Sequence, residues 1–292
     1  MLLAVLLHAF GCWTQPSAYA DDLTLYFFKS RGLDWSTPST ILGSVIKNYL
    51  LQDDYIIGHA TIEVKCSPEG GGEHFHTGMS FKHFNVFKDE LFNKGAGVSV
   101  LLSPVEGAVE KSKTIARYLR EDAPSGRVSF VRFLINPKTC VRLTEYYHQY
   151  QERGIGKWYG LPQRPRYGEG SGCSAFAVSF LELAGLMKPE YSRDWSYHIR
   201  VPKKWMGPPF NSEKVSPWHL WWSAKRWAKA TEPHEELFFW EPDKMAEWVK
   251  HKHAQAVYHP ELGLKPLHWG KSKGVLIDAH DVATPVDPIW KY

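Results

Sequence analysis

Cys173 stands where a thiol can act as a nucleophile. It follows Tyr167-Gly168-Glu169-Gly170-Ser171-Gly172, a glycine-rich run without periodicity. From Ser174 the chain reads as a helix carrying Phe176, Val178, Phe180, Leu181 and Leu183, with Gly185 as its stop. The first N–H groups of a helix have no intrahelical partner and its dipole is positive there, so an anion is favoured. A thiol in that place ionises more readily, and the thiolate is the nucleophile. The competing reading is a small buried cysteine that opens an ordinary core helix.

A thiol nucleophile needs a base. His59 lies in Tyr55–Cys66, whose alternation puts Ile62, Val64 and Cys66 on one strand face and His59, Thr61, Glu63 and Lys65 on the other. Gly58 before it allows another backbone to come close. Imidazole is the usual partner of a thiol nucleophile. Ser67 to Gly72 is turn material, and His74 to Phe81 should return antiparallel. A third polar group would orient the imidazole through its second nitrogen. Glu63 is four residues along the strand, about 13 Å away, which excludes a direct hydrogen bond. His76 on the returning strand is the preferred third group, with Glu73 and His74 as alternatives. The bland alternative is that these histidines decorate a solvated hairpin.

Together these residues resemble a family. Gly58-His59-Ala60-Thr61-Ile62-Glu63-Val64, a hairpin, and Phe75-His76-Thr77-Gly78 look like the histidine strand and third-residue strand of the NlpC/P60 papain-like superfamily. Gly172-Cys173-Ser174-Ala175-Phe176-Ala177 is similar to its Asp-Cys-Ser-Gly-Phe-Val signature. His precedes Cys, the order of the circularly permuted branch with its YiiX/YaeF-like and lecithin:retinol acyltransferase-like members. Gly172 in place of Asp, Ala175 in place of Gly and a longer hairpin are departures. The resemblance covers roughly residues 50 to 187. It implies thiolate attack on an amide or ester carbonyl, an acyl-enzyme, His59 as base and then acid, and the N–H of Cys173 or Ser174 as oxyanion donor. Trp158-Tyr159-Gly160 is similar to the family's Tyr-x-Trp-Gly-Gly segment, which would give Tyr159 a place near the oxyanion. The implied substrates are peptidoglycan stem peptides, which an exported location favours, or, in the permuted branch, acyl lipids and other amides; a non-catalytic envelope-binding protein is the alternative from another class.

The elements that must position these groups are read as an α+β core over residues 21–189. An antiparallel sheet packs against the cysteine helix, and a tryptophan-rich, mostly helical and irregular extension follows over 190–292. Asp22 to Phe28 is a first strand and Ile41 to Leu51 a helix ended by Asp53 and Asp54. Lys88 to Gly97 reads as a loop, and Gly97 to Leu102 as a strand. Ser103-Pro104-Val105-Glu106 reads as a helix start that runs to about Arg120. Arg127 to Ile135 is a strand, and Asn136-Pro137 opens a helix to about Gln151. Helical patches are expected over Pro217 to Ala230 and Pro242 to His253, and a last strand over Gly274 to Asp278.

The N-terminus reads as an export signal, apolar over Met1 to Leu7 and ending in Ser17-Ala18-Tyr19-Ala20. That predicts a periplasmic or secreted bacterial protein cleaved near Ala20. Cys66, Cys140 and Cys173 then remain, an odd set with at least one free thiol. Cys66 and Cys140 could pair in an oxidising compartment and leave Cys173 free. No C-x-x-C or H-E-x-x-H spacing suggests a metal, and no cofactor is implied. The net charge of +4 is mild and interspersed, which gives no nucleic-acid footprint. Trp218, Trp221 and Trp222 share one helical stripe, expected to pack onto the core; stacking on glycans or a peripheral envelope surface is the alternative.

Overall fold

The computed structural model describes residues 20–51, 55–83 and 85–292. The expected signal over residues 1–19 and the helix stop at Asp53 and Asp54 lie outside the described residues. The first half contains β1 (Asp22–Phe28), α1 (Pro38–Leu50), β2 (His59–Lys65), β3 (His74–Phe81), α2 (Asn85–Lys88) and β4 (Val105–Val109). Next come α3 (Ser112–Asp122), β5 (Val128–Leu134), α4 (Pro137–Glu152), β6 (Trp158–Tyr159), α5 (Cys173–Leu183) and α6 (Pro189–Asp194). The last part holds β7 (Ser196–Pro202), α7 (Pro217–Ser223), β8 (His234–Trp240), α8 (Pro242–Tyr258), β9 (Lys265–Trp269) and β10 (Ser272–Asp278).

Eight strands form one sheet in the order β6-β4-β3-β2-β1-β5-β10-β9, and β7 pairs with β8 apart from it. Neighbours in the large sheet are antiparallel except β10, which lies parallel to β5. The class is therefore α+β, with a mixed sheet. Side chains alternate across it. In β1, Leu23, Leu25 and Phe27 enter one core with Ala60, Ile62 and Val64 of β2, while Tyr26 and Phe28 enter the other. The first core is covered by α4, α5 and α8, the second by Ile115 and Leu119 of α3. Burial on both sides explains why β1 ends in an unbroken apolar run, Leu25 to Phe28.

The helix that carries Cys173 is fixed by its aromatics. Phe176 and Phe180 are fully buried, with ring centroids 4.8 Å from Tyr150 and 5.1 Å from Tyr146 of α4. Truncating a buried ring of this kind costs about 3–5 kcal/mol. The hairpin that carries His59 is fixed from outside: Cys66 is disulfide-bonded to Cys140 of α4 across a Cα separation of 5.8 Å, and Cys173 is the free cysteine among the described residues.

Three expectations are corrected. Residues after 190 do not stand apart: β9 and β10 extend the main sheet, and Met245, Val249 and Trp290 lie in its principal core. Residues Val98–Leu101 form a 3₁₀ turn, and the segment after Ser103 is strand β4, with helix α3 starting only at Ser112. The tryptophan stripe of α7 packs inward only in part: the Trp221 ring lies against Gly43 of α1, whereas Trp218 and Trp222 are 69% and 73% exposed. Among the described residues no helix is long and apolar enough to cross a membrane.

Candidate active site

Cys173 is the first residue of α5, and Gly172 is its N-cap with no side-chain capping bond. The first intrahelical bond runs from the Phe176 N–H to the Gly172 carbonyl, 3.0 Å, so the N–H groups of Cys173, Ser174 and Ala175 are left outside the helical ladder. Gly172 is needed for room: a Cβ there would lie 3.0 Å from the Gly160 carbonyl oxygen.

The β2–β3 ladder pairs Thr61 with Gly78 and goes no further toward His59, whereas β3 continues against β4 over Met79–Phe81. Beyond that last pair the Ala60 N–H donates to the Cys173 sulfur, and the His59 side chain is hydrogen-bonded to it. The Tyr159 hydroxyl of β6 donates to the same sulfur at 3.6 Å, and Ser174 Oγ is 3.9 Å from it. Cys173, His59, Tyr159 and Ser174 are thus gathered at one point.

The group on the second nitrogen of His59 is Glu110. Its Oε2 lies 2.7 Å from His59 Nε2, with the two side chains 12% and 9% exposed. That leaves Nδ1 of His59 for the thiol. Glu110 directly follows β4, where its N–H donates to the Gly78 carbonyl at 2.9 Å. Gly78 has no side chain in the space that the carboxylate occupies. His76 is not near His59. It pairs across the hairpin with Glu63, so the 13 Å that separates Glu63 from His59 applies to its partner as well. Its Nε2 is 3.7 Å from Glu63 Oε1, and burial holds its pKa below the ordinary histidine value. His74 is bonded to Glu63 and Glu73 to His148, so neither alternative reaches His59.

Burial by itself would lower the pKa of His59. The neighbouring Glu110 carboxylate and the bond to Cys173 outweigh it and hold the imidazole well above its usual value. For Cys173 burial acts upward, but the bond and charge of His59, then the Tyr159 hydroxyl and the Ala60 N–H, bring the thiol below the ordinary cysteine value. Burial, then the charge on Cys173, keeps Tyr159 protonated as a donor. The arrangement favours thiolate and imidazolium over thiol and imidazole.

Compared with models of protein families, with curated proteins and with solved structures, the chain gives no significant match.

Cys173 opens onto a cavity of about 410 Å³. Its wall is built from α1, the Asp89–Asn93 turn, α7 and β8, with side chains such as Ile41, Val45, Leu91, Trp221 and Phe239. Lys88 and Glu241 are the charged residue types in that lining. Burial, then the charge of Asp243, pushes the Glu241 carboxyl up to about 8, so it is neutral at pH 7. A second cluster, Glu63, His74 and His76, brings three donor atoms within 4.8 Å of one another, which the spacing rules used on the sequence did not anticipate.

Proposed function

We propose that this chain is a thiol acyl hydrolase or acyltransferase of the permuted NlpC/P60 papain-like type, acting on a long apolar acyl group presented at a lipid surface. The carrying observation is that the polarised Cys173 forms part of the wall of an almost wholly apolar cleft. Pockets choose ligands by such linings, with a few polar groups fixing orientation. A peptidoglycan stem peptide, charged and polar along its length, finds little in that wall to bind it. The cleft's lining reaches the surface at Leu50, Phe92 and Trp218, all exposed, and Trp222 lies beside them on α7. Lys47, Lys88 and Lys225 are close in sequence to these residues, a composition suited to resting on an anionic lipid interface. The disulfide agrees with export to an oxidising compartment.

In this reading the Cys173 thiolate attacks the carbonyl carbon of an ester or amide, and the carbonyl π pair moves to oxygen. The N–H groups at the start of α5 that lie outside its helical ladder stabilise that oxyanion, while Tyr159 donates to the sulfur beforehand. Collapse of the intermediate breaks the bond to the leaving alcohol or amine, which takes the proton from His59 and leaves a thioester. His59 then removes a proton from water, or from an acceptor alcohol or amine, which attacks the thioester and frees Cys173. Glu110 holds the imidazole in place and stabilises its charged form.

The test is to incubate the mature protein and Cys173→Ala with acyl-lipid vesicles and, separately, with muropeptides. The expected result is a released or transferred acyl chain from the wild type alone, with an acyl adduct on Cys173 in the intact mass. Turnover of muropeptides alone would move the reading to the wall peptide. Equal turnover by both proteins would remove the thiol mechanism.

A further inference from the structure

The face of the β2–β3 hairpin turned away from α5 carries a second cluster that the thiol chemistry does not use. His74 and His76 are two residues apart on β3, so they leave the same side of the strand, and Glu63 stands directly opposite His76 on β2. Glu63 Oε1 is 2.7 Å from His74 Nε2 and 3.7 Å from His76 Nε2. Three donors around a tetrahedral zinc ion, each about 2.0–2.1 Å from the metal, would stand roughly 3.3 Å apart, midway between those two distances. An ion bound here would displace the proton that His74 shares with Glu63.

Two further features set this group apart from a solvated pair of histidines. The His76 ring makes no hydrogen bond among the described residues: its buried Nδ1 is unpartnered and its Nε2 stands 3.7 Å from Glu63 Oε1, beyond hydrogen-bond reach, which leaves Nε2 available to a ligand. The second oxygen of Glu63 accepts from the Tyr26 hydroxyl, which fixes the carboxylate and leaves Oε1 to face the histidines. That is the supporting contact a metal-binding carboxylate ordinarily has. Glu63 and His76 also border a cavity of about 370 Å³ whose wall includes Tyr26, Arg132, His268 and Trp269, which gives room for a fourth position.

We infer that Glu63, His74 and His76 form a three-donor site for a borderline divalent transition metal of the zinc type. Its fourth position, beside the Arg132 guanidinium, takes water or a small anion. Carboxylate and imidazole suit zinc and its neighbours better than calcium or magnesium, which prefer oxygen donors.

Untagged mature protein is dialysed against Zn²⁺ and its metal content measured, with Cys173→Ala, His74→Ala and Tyr26→Phe treated alike. His74 is half exposed, so its removal leaves the core intact. One equivalent should bind to the wild type and equally to Cys173→Ala. His74→Ala should lose stoichiometric binding, and Tyr26→Phe should weaken it about 10- to 100-fold, the range for loss of a supporting partner. Co²⁺ in place of Zn²⁺ should give the visible bands of a four-coordinate ion without a sulfur-to-metal charge-transfer band. No retained metal in the wild type would overturn the site. So would binding that survives in His74→Ala or vanishes in Cys173→Ala, since the ion would then sit on the thiol. None of these outcomes depends on acyl turnover.

Discussion

β2 has a histidine–carboxylate group at each end, and the two are built in opposite ways. At one end His59 is nearly closed off from solvent, one nitrogen is taken by Glu110, and the other meets a sulfur at a helix start. At the other end His74 is half exposed, and among the described residues His76 has an unpartnered nitrogen and Glu63 serves both histidines with no free thiol beside them. The same residue types therefore serve different chemistry. A fixed carboxylate plus a thiol polarises one imidazole into a proton carrier, whereas two imidazoles converging on one carboxylate oxygen offer lone pairs to a cation. What separates the two is the strand register: four residues along β2 replace a helix terminus by a cavity.

The largest effect that would break this contrast is at the sulfur. Cys173→Ala should lower acyl turnover by about 10⁴-fold or more, as removal of a nucleophile does elsewhere, with far-UV circular dichroism unchanged. Turnover that survives would remove the thiol from the chemistry and with it the contrast between the two ends.

Next comes the carboxylate. Glu110→Gln keeps the size of the side chain and removes its charge, and kcat should fall on the order of 10²- to 10⁴-fold, by analogy with loss of the orienting acid in other triads. His76→Ala should leave kcat essentially unchanged. The reverse pattern would restore His76 as the partner of the imidazole. The pH profile gives a second readout. The ion pair exists above the lowered Cys173 pKa and below the raised His59 pKa. Without the Glu110 charge only the bond and charge of Cys173 oppose burial, so the His59 pKa falls and the alkaline limb should move to lower pH. The acid limb lies where the ring is still protonated, so it should move far less.

How much of this is legible in the sequence follows from local signals. Cys173 at a helix start, His59 on a strand and the returning strand of the hairpin are all written in short-range periodicity. Glu110 is not. Ser103, Pro104 and Glu106 match a capped helix start, and under that reading Glu110 becomes an ordinary surface residue. The competing signal is Val105-Glu106-Gly107-Ala108-Val109, a period of two with a glycine that weakens a helix. The sheet decides it, because β4 pairs on both sides, with β3 and β6. Long-range pairing of that kind leaves no trace in a local window. The same holds for β9 and β10, which join the sheet more than a hundred residues after β5. The metal cluster is half legible: His74 and His76 share a strand face by spacing alone, but Glu63 is added by register.

The smallest effect concerns access to the two ends of β2. Trp218 borders the cleft at the thiol end and Trp222 lies beside it on α7, whereas neither borders the cavity at the other end, so the thiol end alone should depend on these two rings. A tryptophan left 69% or 73% exposed gives up contact with water when it enters a lipid interface, whereas its loss costs the fold little. Burial of a large apolar side chain contributes about 1.5–3 kcal/mol when complete. Partial insertion of two rings should then supply roughly one to two decades of partitioning. Trp218→Ser with Trp222→Ser should therefore weaken binding to anionic vesicles about 10-fold or more, and slow turnover of vesicle lipid in proportion. Hydrolysis of a soluble short-chain thioester should stay the same, because Cys173, His59 and Glu110 are untouched. Zn²⁺ binding should also stay the same, since neither ring borders the cavity beside His76. If vesicle and soluble substrates slow equally, the tryptophans support the fold of the cleft and not its contact with lipid. That result would leave the thiol site standing and shift its substrate from a membrane surface to a dissolved acyl compound.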